Sequence, residues 1–253
     1  PDSVKSSIEC LHTLTKNLLV KRSHRGALEI EGQEPLLKIT RDGAVEEITL
    51  PSRLYAHQMI EEAMLAANVS AASFMKKHYK FGVYRNHEEP DNIKLESLKT
   101  FFSLKGFSKS FKKSSLELVN QCLGHAKEHK LDKVLQTVVL QSLKRAEYST
   151  KEVGHFGLQL ERYSHFTSPI RRYPDLVIHR IIEKFLAEEK IDQKEGQDFV
   201  RIAENSTNQE IAAADAERTS IKYKQVEYMT DRIGQEFEGI INGMNKNGLF
   251  VSE

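Results

Sequence analysis

The chain has 253 residues, of which 29% are charged and 39% hydrophobic, and this composition excludes an intrinsically disordered protein. A formal net charge of +1 excludes a protein that is basic over its whole surface, so nucleic-acid binding would require local basic patches. Cys10 and Cys122 have no CxxC spacing, and neither a long apolar run nor a signal-peptide pattern occurs, so we expect a cytoplasmic protein without a zinc knuckle or membrane span.

Hydrophobic periodicity and turn residues divide the chain into helices and short strands. In chain order they predict a helix over 4–21, extended runs over 27–31, 36–40 and 45–50, a helix over 52–79, a strand over 81–85, helices over 88–104, 115–129 and 131–145, an extended segment over 155–166, and helices over 174–186 and 194–229. The pair Asp42-Gly43 is a strong hairpin signal between two of the extended runs.

The composition changes at Gly234, where glycines begin to punctuate short β-type runs. Two strands joined by a turn at Lys246-Asn247-Gly248 are predicted, and this is how a small barrel begins. Two strands alone do not form a stable module. Because the chain also lacks an initiator methionine, we expect it to be a piece of a longer protein.

The segment Tyr163–Arg180, YSHFTSPIRRYPDLVIHR, concentrates arginines, histidines, aromatics and two prolines. Two prolines this close cannot both lie inside one helix, so we expect two successive helix starts, at Ser168-Pro169 and Tyr173-Pro174. Helix N-termini favour anions, and the guanidinium of an arginine between them can bind a phosphate bidentately. The segment therefore predicts an anion site, with a phosphate as the expected ligand.

Several blocks of the sequence, in order, resemble the ribonuclease II / ribonuclease R family of exoribonucleases, the RNB domain. The segment Tyr163–Arg180 resembles the family signature, and MIEEAMLAANVSAA at Met59–Ala72 resembles the helix around its active-site glutamate. The other matching blocks are HRGALEIE at 24–31, GHFGLQL at 154–160 and the glycine-punctuated tail, which resembles the start of an OB barrel. The likeness is greater to the bacterial ribonuclease R branch.

The resemblance implies an α+β fold: residues 1–233 would be the mostly helical C-terminal portion of an RNB catalytic domain with a mixed or antiparallel sheet, and 234–253 the start of a truncated OB-fold domain. It also implies hydrolytic 3′→5′ degradation of single-stranded RNA to nucleoside monophosphates with magnesium. The family's metal-binding aspartates match nothing in this chain, so we assign it no metal ligand and expect it to be inactive alone. We expect a monomer that needs the missing N-terminal part of the same protein.

Among the site residues that the resemblance implies, Arg171 matches the family arginine at the scissile phosphate. The alternative is a structural arginine that caps a helix or pairs with Glu161. A glutamate of the helix around Glu61 and Glu62 would touch the last ribose, and since adjacent helical side chains diverge, only one of the two is expected to face the site.

The expected RNA-binding residues are Arg25, Gly26, Tyr163, His165, Thr167, Ser168, Arg172 and Tyr173. Aromatic rings in this set can stack on bases. Alternation along an extended segment would equally bury half of the rings in the core. The spacing of His155, His165 and His179 fits no known metal site, so we interpret these histidines as structural and Asp175 as a first-turn acid favoured by the helix dipole.

Two other functions remain open at this point. A non-catalytic RNA-binding or regulatory homologue would keep the RNA channel without the metal aspartates. A helical scaffold would use the arginines only to cap helices, and the basic stretches Lys16–Arg25 and Lys99–Lys113 would then be solvated surface.

Overall fold

The structure is a computed structural model that describes residues 2–30, 35–79, 81–107, 110–128, 132–246 and 248–252. The chain divides into two compact units, the first formed by 1–30 and 53–211 and the second by 31–52 and 212–253. The helices are α1 (Asp2–Arg25), α2 (Tyr55–His78), α3 (Asn92–Leu104), α4 (Ser115–Lys127), α5 (Asp132–Ser142), α6 (Tyr173–Leu186) and α7 (Gln193–Thr230). The strands are β1 (Leu36–Ile39), β2 (Val45–Thr49), β3 (Tyr84–Asn86), β4 (Glu147–Ser149), β5 (Ile240–Asn245) and β6 (Gly248–Ser252).

The first unit has two hydrophobic cores. One is formed by α3, α4 and α5, whose buried faces meet around Phe102, Val119 and Val139. The other joins α2, the antiparallel pair β3–β4, α6 and the beginning of α7 around Met75, Val83 and Ile178. This second core supports the segment that leads into α6, and it therefore positions the candidate site.

The second unit contains two antiparallel hairpins. Strands β1 and β2 are joined through the Asp42-Gly43 turn, and Gly43 has a φ of +89°, a conformation that glycine adopts without strain. Strands β5 and β6 form the other hairpin. The predicted turn residue Asn247 between them lies outside the described residues, and the domain boundary at Gly234 stays a prediction.

The predicted α+β class is confirmed, and each predicted helix has a counterpart with slightly different ends. Two expected extended segments are wrong, and one observed strand was not expected. Residues 27–30 form no strand, the expected extended segment 155–166 contains a 3-10 helix at Phe156–Leu158, and strand β4 was not expected. Each sheet within the described ranges consists of two paired strands. No helix in this part of the chain combines the length and apolarity needed to cross a membrane.

Candidate functional site

Residues Ser168–Arg172 form a single tight turn, which we call the arginine turn. The carbonyl of Ser168 accepts hydrogen bonds from the amides of Arg171 at 3.3 Å and Arg172 at 3.1 Å. The expected first helix start at Ser168-Pro169 is therefore wrong, because these residues form one turn that does not continue as a helix. Only the second start exists: α6 begins at Tyr173 with Pro174 in its first turn, where a missing N–H costs little.

Arg171 lies at the exposed end of the arginine turn beside the fully exposed Ile170. Its backbone amide is bonded within the turn, but its guanidinium makes no hydrogen bond or ion pair with another described residue. This differs from Arg172, whose Nη2 donates to Asp175 Oδ2 at 2.9 Å. The two adjacent arginines therefore have different environments, and Arg171 presents five N–H donors to the solvent.

Asp175 lies in the first turn of α6, as its sequence position predicted, and it is fully buried. Its Oδ2 accepts a hydrogen bond from the amide of Ser168 at 2.8 Å as well as the one from Arg172. Asp175 Oδ1, Arg172 Nε and Thr167 Oγ1 are buried without a hydrogen-bond partner in the described part of the chain. The ends of the arginine turn are thus held by one carboxylate oxygen.

The residues before the arginine turn are fixed to three elements of the second core. Asn68 on α2 donates to the hydroxyl of Tyr163 at 2.9 Å and accepts from the amide of Phe166 at 2.9 Å. Ser164 Oγ donates to the carbonyl of Val83 at 2.8 Å. The ring of Phe166 stacks on that of His179 in α6, with centroids 4.2 Å apart. The approach to the turn is therefore rigidly held.

Five neighbouring rings form a row that includes two residues of this segment. In order, they are His87, His155, Tyr163, His165 and Tyr148. Neighbouring rings have centroids 5.0 to 5.6 Å apart with edge-to-face geometry. Tyr148 ends the row, with its hydroxyl 2.8 Å from His165 Nδ1 and the guanidinium of Arg85 4.6 Å above its ring. We refer to this set as the ring row.

The histidines of the ring row have lowered pKa values, chiefly because they are buried. Burial lowers the pKa of His155 to about 3, with help from the positive charge of Arg85. Burial also lowers the pKa of His165 to about 3, followed by the positive charges of Arg172 and Arg85. Tyr163 is buried, and burial raises the pKa of its hydroxyl. Its ring therefore fits the core alternative that alternation left open, whereas Tyr173 is about half exposed.

Glu61 and Glu62 on α2 belong to a second group, the carboxylate cluster, which also contains Arg22 and Arg53. Arg22 Nη1 donates to Glu61 at 2.9 Å and to Glu62 at 2.8 Å, and Arg53 also binds Glu61. Glu62 is 4% exposed, whereas 37% of the Glu61 side chain is accessible. Burial raises the pKa of Glu61, but the hydrogen bonds and charges of Arg22 and Arg53 outweigh it and lower that pKa overall.

Arg25 is the last residue of α1, and Gly26 follows it. Gly26 ends α1 with a φ of +76°, and a Cβ there would lie 3.4 Å from Leu116 Cδ2. Arg25 Nε donates to the carbonyl of Leu158 at 2.9 Å. Burial lowers the pKa of Arg25, which the charge of Glu62 partly offsets.

Comparisons with known proteins agree with this architecture. The family model described as RNB domain matches residues 1–188. The chain belongs to the RNB domain family. Ribonuclease R of Vibrio parahaemolyticus is 35% identical over 97% of the chain, and ribonuclease R 1 of Lactococcus lactis is 36% identical over 99% of it. The chain spans 31% of the length of each of these curated relatives.

A solved protein is similar to this chain in backbone structure. Mycoplasma genitalium ribonuclease R, in complex with ribose methylated single-stranded RNA, is similar with a TM-score of 0.92 and 27% identity. The similarity covers 99% of this chain and 40% of that one. The resemblance inferred from the sequence blocks is therefore confirmed.

The sequence-predicted site residues fall into four groups. Ser168, Arg171 and Arg172 share the arginine turn, with Thr167 before it and Tyr173 after it. Tyr163 and His165 lie in the ring row. Glu61 and Glu62 lie in the carboxylate cluster, and Arg25 and Gly26 lie at the end of α1.

Four residues of the site were not predicted from the sequence: Arg22, Arg53, Asn68 and Tyr148. Arg22 belongs to a basic stretch whose composition is typical of solvated surface, although only 15% of its side chain is exposed. No sequence signal pairs it with glutamates 39 and 40 residues away.

The described side chains do not form a metal site. Within these ranges, no group of three or more His, Cys, Asp or Glu residues could hold an ion. The carboxylates of Glu61 and Glu62 are instead neutralised by arginine. The described residues therefore do not fit the magnesium that the family resemblance implies.

Proposed function

We propose that the whole protein carrying this RNB domain is an exoribonuclease that hydrolyses single-stranded RNA from its 3′ end to nucleoside monophosphates. The observation that carries the proposal is the exposed guanidinium of Arg171, which has no hydrogen-bond or ion-pair partner among the described residues, on a turn whose ends are fixed. The similarity to ribonuclease R proteins, one of them solved with RNA, supports it. The proposed location is the cytoplasm, and the proposed state is a monomer.

Arg171 is proposed to bind the scissile phosphate. A guanidinium matches phosphate oxygens bidentately, and a fixed cation stabilises the negative charge that spreads over them in the transition state. Because Arg171 has no intramolecular ion pair to break within the described structure, its donors are available to the substrate. Arg172 is committed to Asp175, so its contribution to RNA binding is proposed to be the local positive charge.

Glu61 is the glutamate proposed to meet the terminal ribose. Its carboxylate is partly accessible, whereas Glu62 is buried against Arg22. Arg22 and Arg53 lower the pKa of Glu61, so it remains ionised and able to accept a hydrogen bond from a ribose hydroxyl at neutral pH. Glu62 would then act as the fixed counter-charge of Arg22.

The remaining RNA contacts are proposed to come from residues that border the arginine turn. Thr167 and Ser168 offer hydroxyl groups, and the half-exposed ring of Tyr173 can stack on a base. Magnesium is the proposed cofactor of the whole protein, bound by residues other than those described. No step of this proposal passes through the metal.

Product analysis tests the proposal. The whole protein, given a single-stranded RNA labelled at its 5′ end, should shorten it progressively from the 3′ end and release mononucleotides. Internal cleavage would contradict the exonucleolytic assignment. Binding without release of nucleotides would favour the non-catalytic homologue.

The salt dependence of RNA binding provides a second test. Each phosphate contact should contribute a slope of about −0.7 to log K against log salt, so binding should weaken as salt rises. The Arg171→Ala variant should have a slope that is less steep by about that amount. Arg201→Ala is the matched control, because Arg201 is 80% exposed and pairs only with Asp198 among the described residues. Binding that is insensitive to salt would contradict a site that follows the phosphate backbone.

A further inference from the structure

Asp175 makes contacts that a helix-capping acid does not require. In a capping box, an acid in the first turn of a helix bonds the amide of the N-cap residue. Here the N-cap residue is Arg172, and its amide bonds the carbonyl of Ser168 instead. The carboxylate of Asp175 reaches past it to the amide of Ser168, seven residues earlier in the chain.

One oxygen of Asp175 holds both ends of the arginine turn. Oδ2 accepts from the Ser168 amide at 2.8 Å and from Arg172 Nη2 at 2.9 Å. Between these points the chain bends sharply through Pro169 and exposes Ile170 and Arg171. The backbone hydrogen bonds to the carbonyl of Ser168 close the turn, and the fully buried carboxylate of Asp175 ties it to α6.

The burial of this carboxylate carries an energetic cost. Asp175 Oδ1 and Arg172 Nε have no hydrogen-bond partner in the described part of the chain. Incompletely paired buried charges are destabilising, and an apolar residue of similar size would avoid the cost. A helix start alone gives no reason for the arrangement, whereas a turn that must keep one geometry does.

We propose that Asp175 is a positioning residue, which fixes the Ser168–Arg172 turn so that Arg171 faces the scissile phosphate. The inference rests on the proposed function of Arg171. The Arg171 guanidinium has no ion pair or hydrogen bond to a described residue to orient it, so its location depends on the backbone of the turn. A displacement of about 1 Å in a catalytic group can lower a rate about 10²-fold, even when the altered residue does not touch substrate.

A double-mutant cycle in the whole protein tests the proposal. Asp175→Asn should lower kcat about 10-fold to 100-fold while KM for single-stranded RNA changes little. In the Arg171→Ala background the same substitution should change kcat less than about twofold, because an arginine that is absent cannot be mispositioned. Val139→Ala, a buried change in the other hydrophobic core, is the control for loss of stability and should leave kcat unchanged.

Asp175→Glu keeps the charge and the favourable dipole interaction but displaces the carboxylate by one methylene. It should also lower kcat, and it provides the test if Asp175→Asn does not fold. Full kcat in Asp175→Glu, or equal losses from Asp175→Asn with and without Arg171, would overturn the positioning role while leaving the proposed function intact. If Arg171→Ala leaves kcat unchanged, the function proposed for Arg171 fails, and the role of Asp175 fails with it.

Discussion

Asn68 on α2 donates a hydrogen bond of 2.9 Å to the hydroxyl of Tyr163, ninety-five residues along the chain. The same amide group accepts a bond from the backbone of Phe166 at 2.9 Å. One buried side chain therefore fixes the strand-like approach to the arginine turn at two points. The site residues on this segment depend on α2 as well as on α6.

Replacing Asn68 by alanine should destabilise the protein by about 2–3 kcal/mol, because the Tyr163 hydroxyl and the Phe166 amide would each lose a partner. Chemical denaturation measures this change. Ser70→Ala is the control on the same helix, since Ser70 is exposed and its hydroxyl donates to the carbonyl of Ala66 in that helix, and it should change stability by less than about 0.5 kcal/mol. Equal effects of the two substitutions would contradict the role of Asn68.

Replacing Arg22 alone should destabilise the protein more than replacing both Arg22 and Glu62. Arg22→Met leaves the buried carboxylate of Glu62 without its cation and should cost about 3–5 kcal/mol of stability. Adding Glu62→Leu to that variant should recover most of the loss, because an apolar pair can replace a buried ion pair. Denaturant titration of the single and double variants checks this, and a double variant as unstable as the single one would contradict it.

Stability should fall as the solution becomes acidic. His155 and His165 are neutral in the folded protein with pKa values of about 3, whereas the unfolded chain binds a proton at each with a pKa near 6.5. Protons therefore favour the unfolded state below that pH, and the stability present at neutral pH is lost as pH falls. Between about pH 7.5 and about pH 5, each histidine should contribute a loss of roughly 2 kcal/mol at most.

Unfolding free energies measured across this range test the prediction. A variant with His155→Gln and His165→Gln should have a flatter pH profile over the same interval. His24→Gln, at an exposed position, should leave the profile unchanged. Identical profiles for the wild type and the double variant would show that the ring row does not set the acid sensitivity.

Arg171→Ala in the whole protein should lower turnover about 10²- to 10³-fold, or roughly 3–4 kcal/mol of transition-state stabilisation. RNA affinity should change far less, because the proposed interaction is strongest with the charge of the transition state. Single-turnover kinetics and equilibrium binding separate the two quantities. Equal losses in both would mean that Arg171 only binds RNA.

The isolated 253-residue chain should show no magnesium-dependent hydrolysis of poly(A). Its described residues offer no group of metal-ligating side chains, although the arginine turn is complete. Thin-layer or mass-spectrometric detection of released mononucleotides checks this. Release by the purified chain, once contaminating nuclease has been excluded with an Arg171→Ala sample, would overturn the location proposed for the metal ligands.

Helix positions and the α+β class could be predicted from the sequence, because periodic apolar residues and turn residues act locally. The start of α6 at Tyr173-Pro174 followed from proline, whose geometry is tolerated in the first turn of a helix. The same rule gave a helix start at Ser168-Pro169 that does not exist. There, the carboxylate of Asp175 captures the Ser168 amide, and a local rule contains no information about that contact.

The sequence by itself determined the family and the candidate residues, because the order of residue types in Tyr163–Arg180 can be recognised without knowledge of the fold. Tertiary structure alone decided which residues are accessible. Arg171 is exposed and Arg172 is paired, although they are adjacent and chemically identical. Glu62 is 4% exposed and Glu61 is 37% exposed, although Arg22 from another helix binds both carboxylates. Burial and charge pairing depend on contacts between residues that are distant in the chain, and these form only when the whole chain has folded.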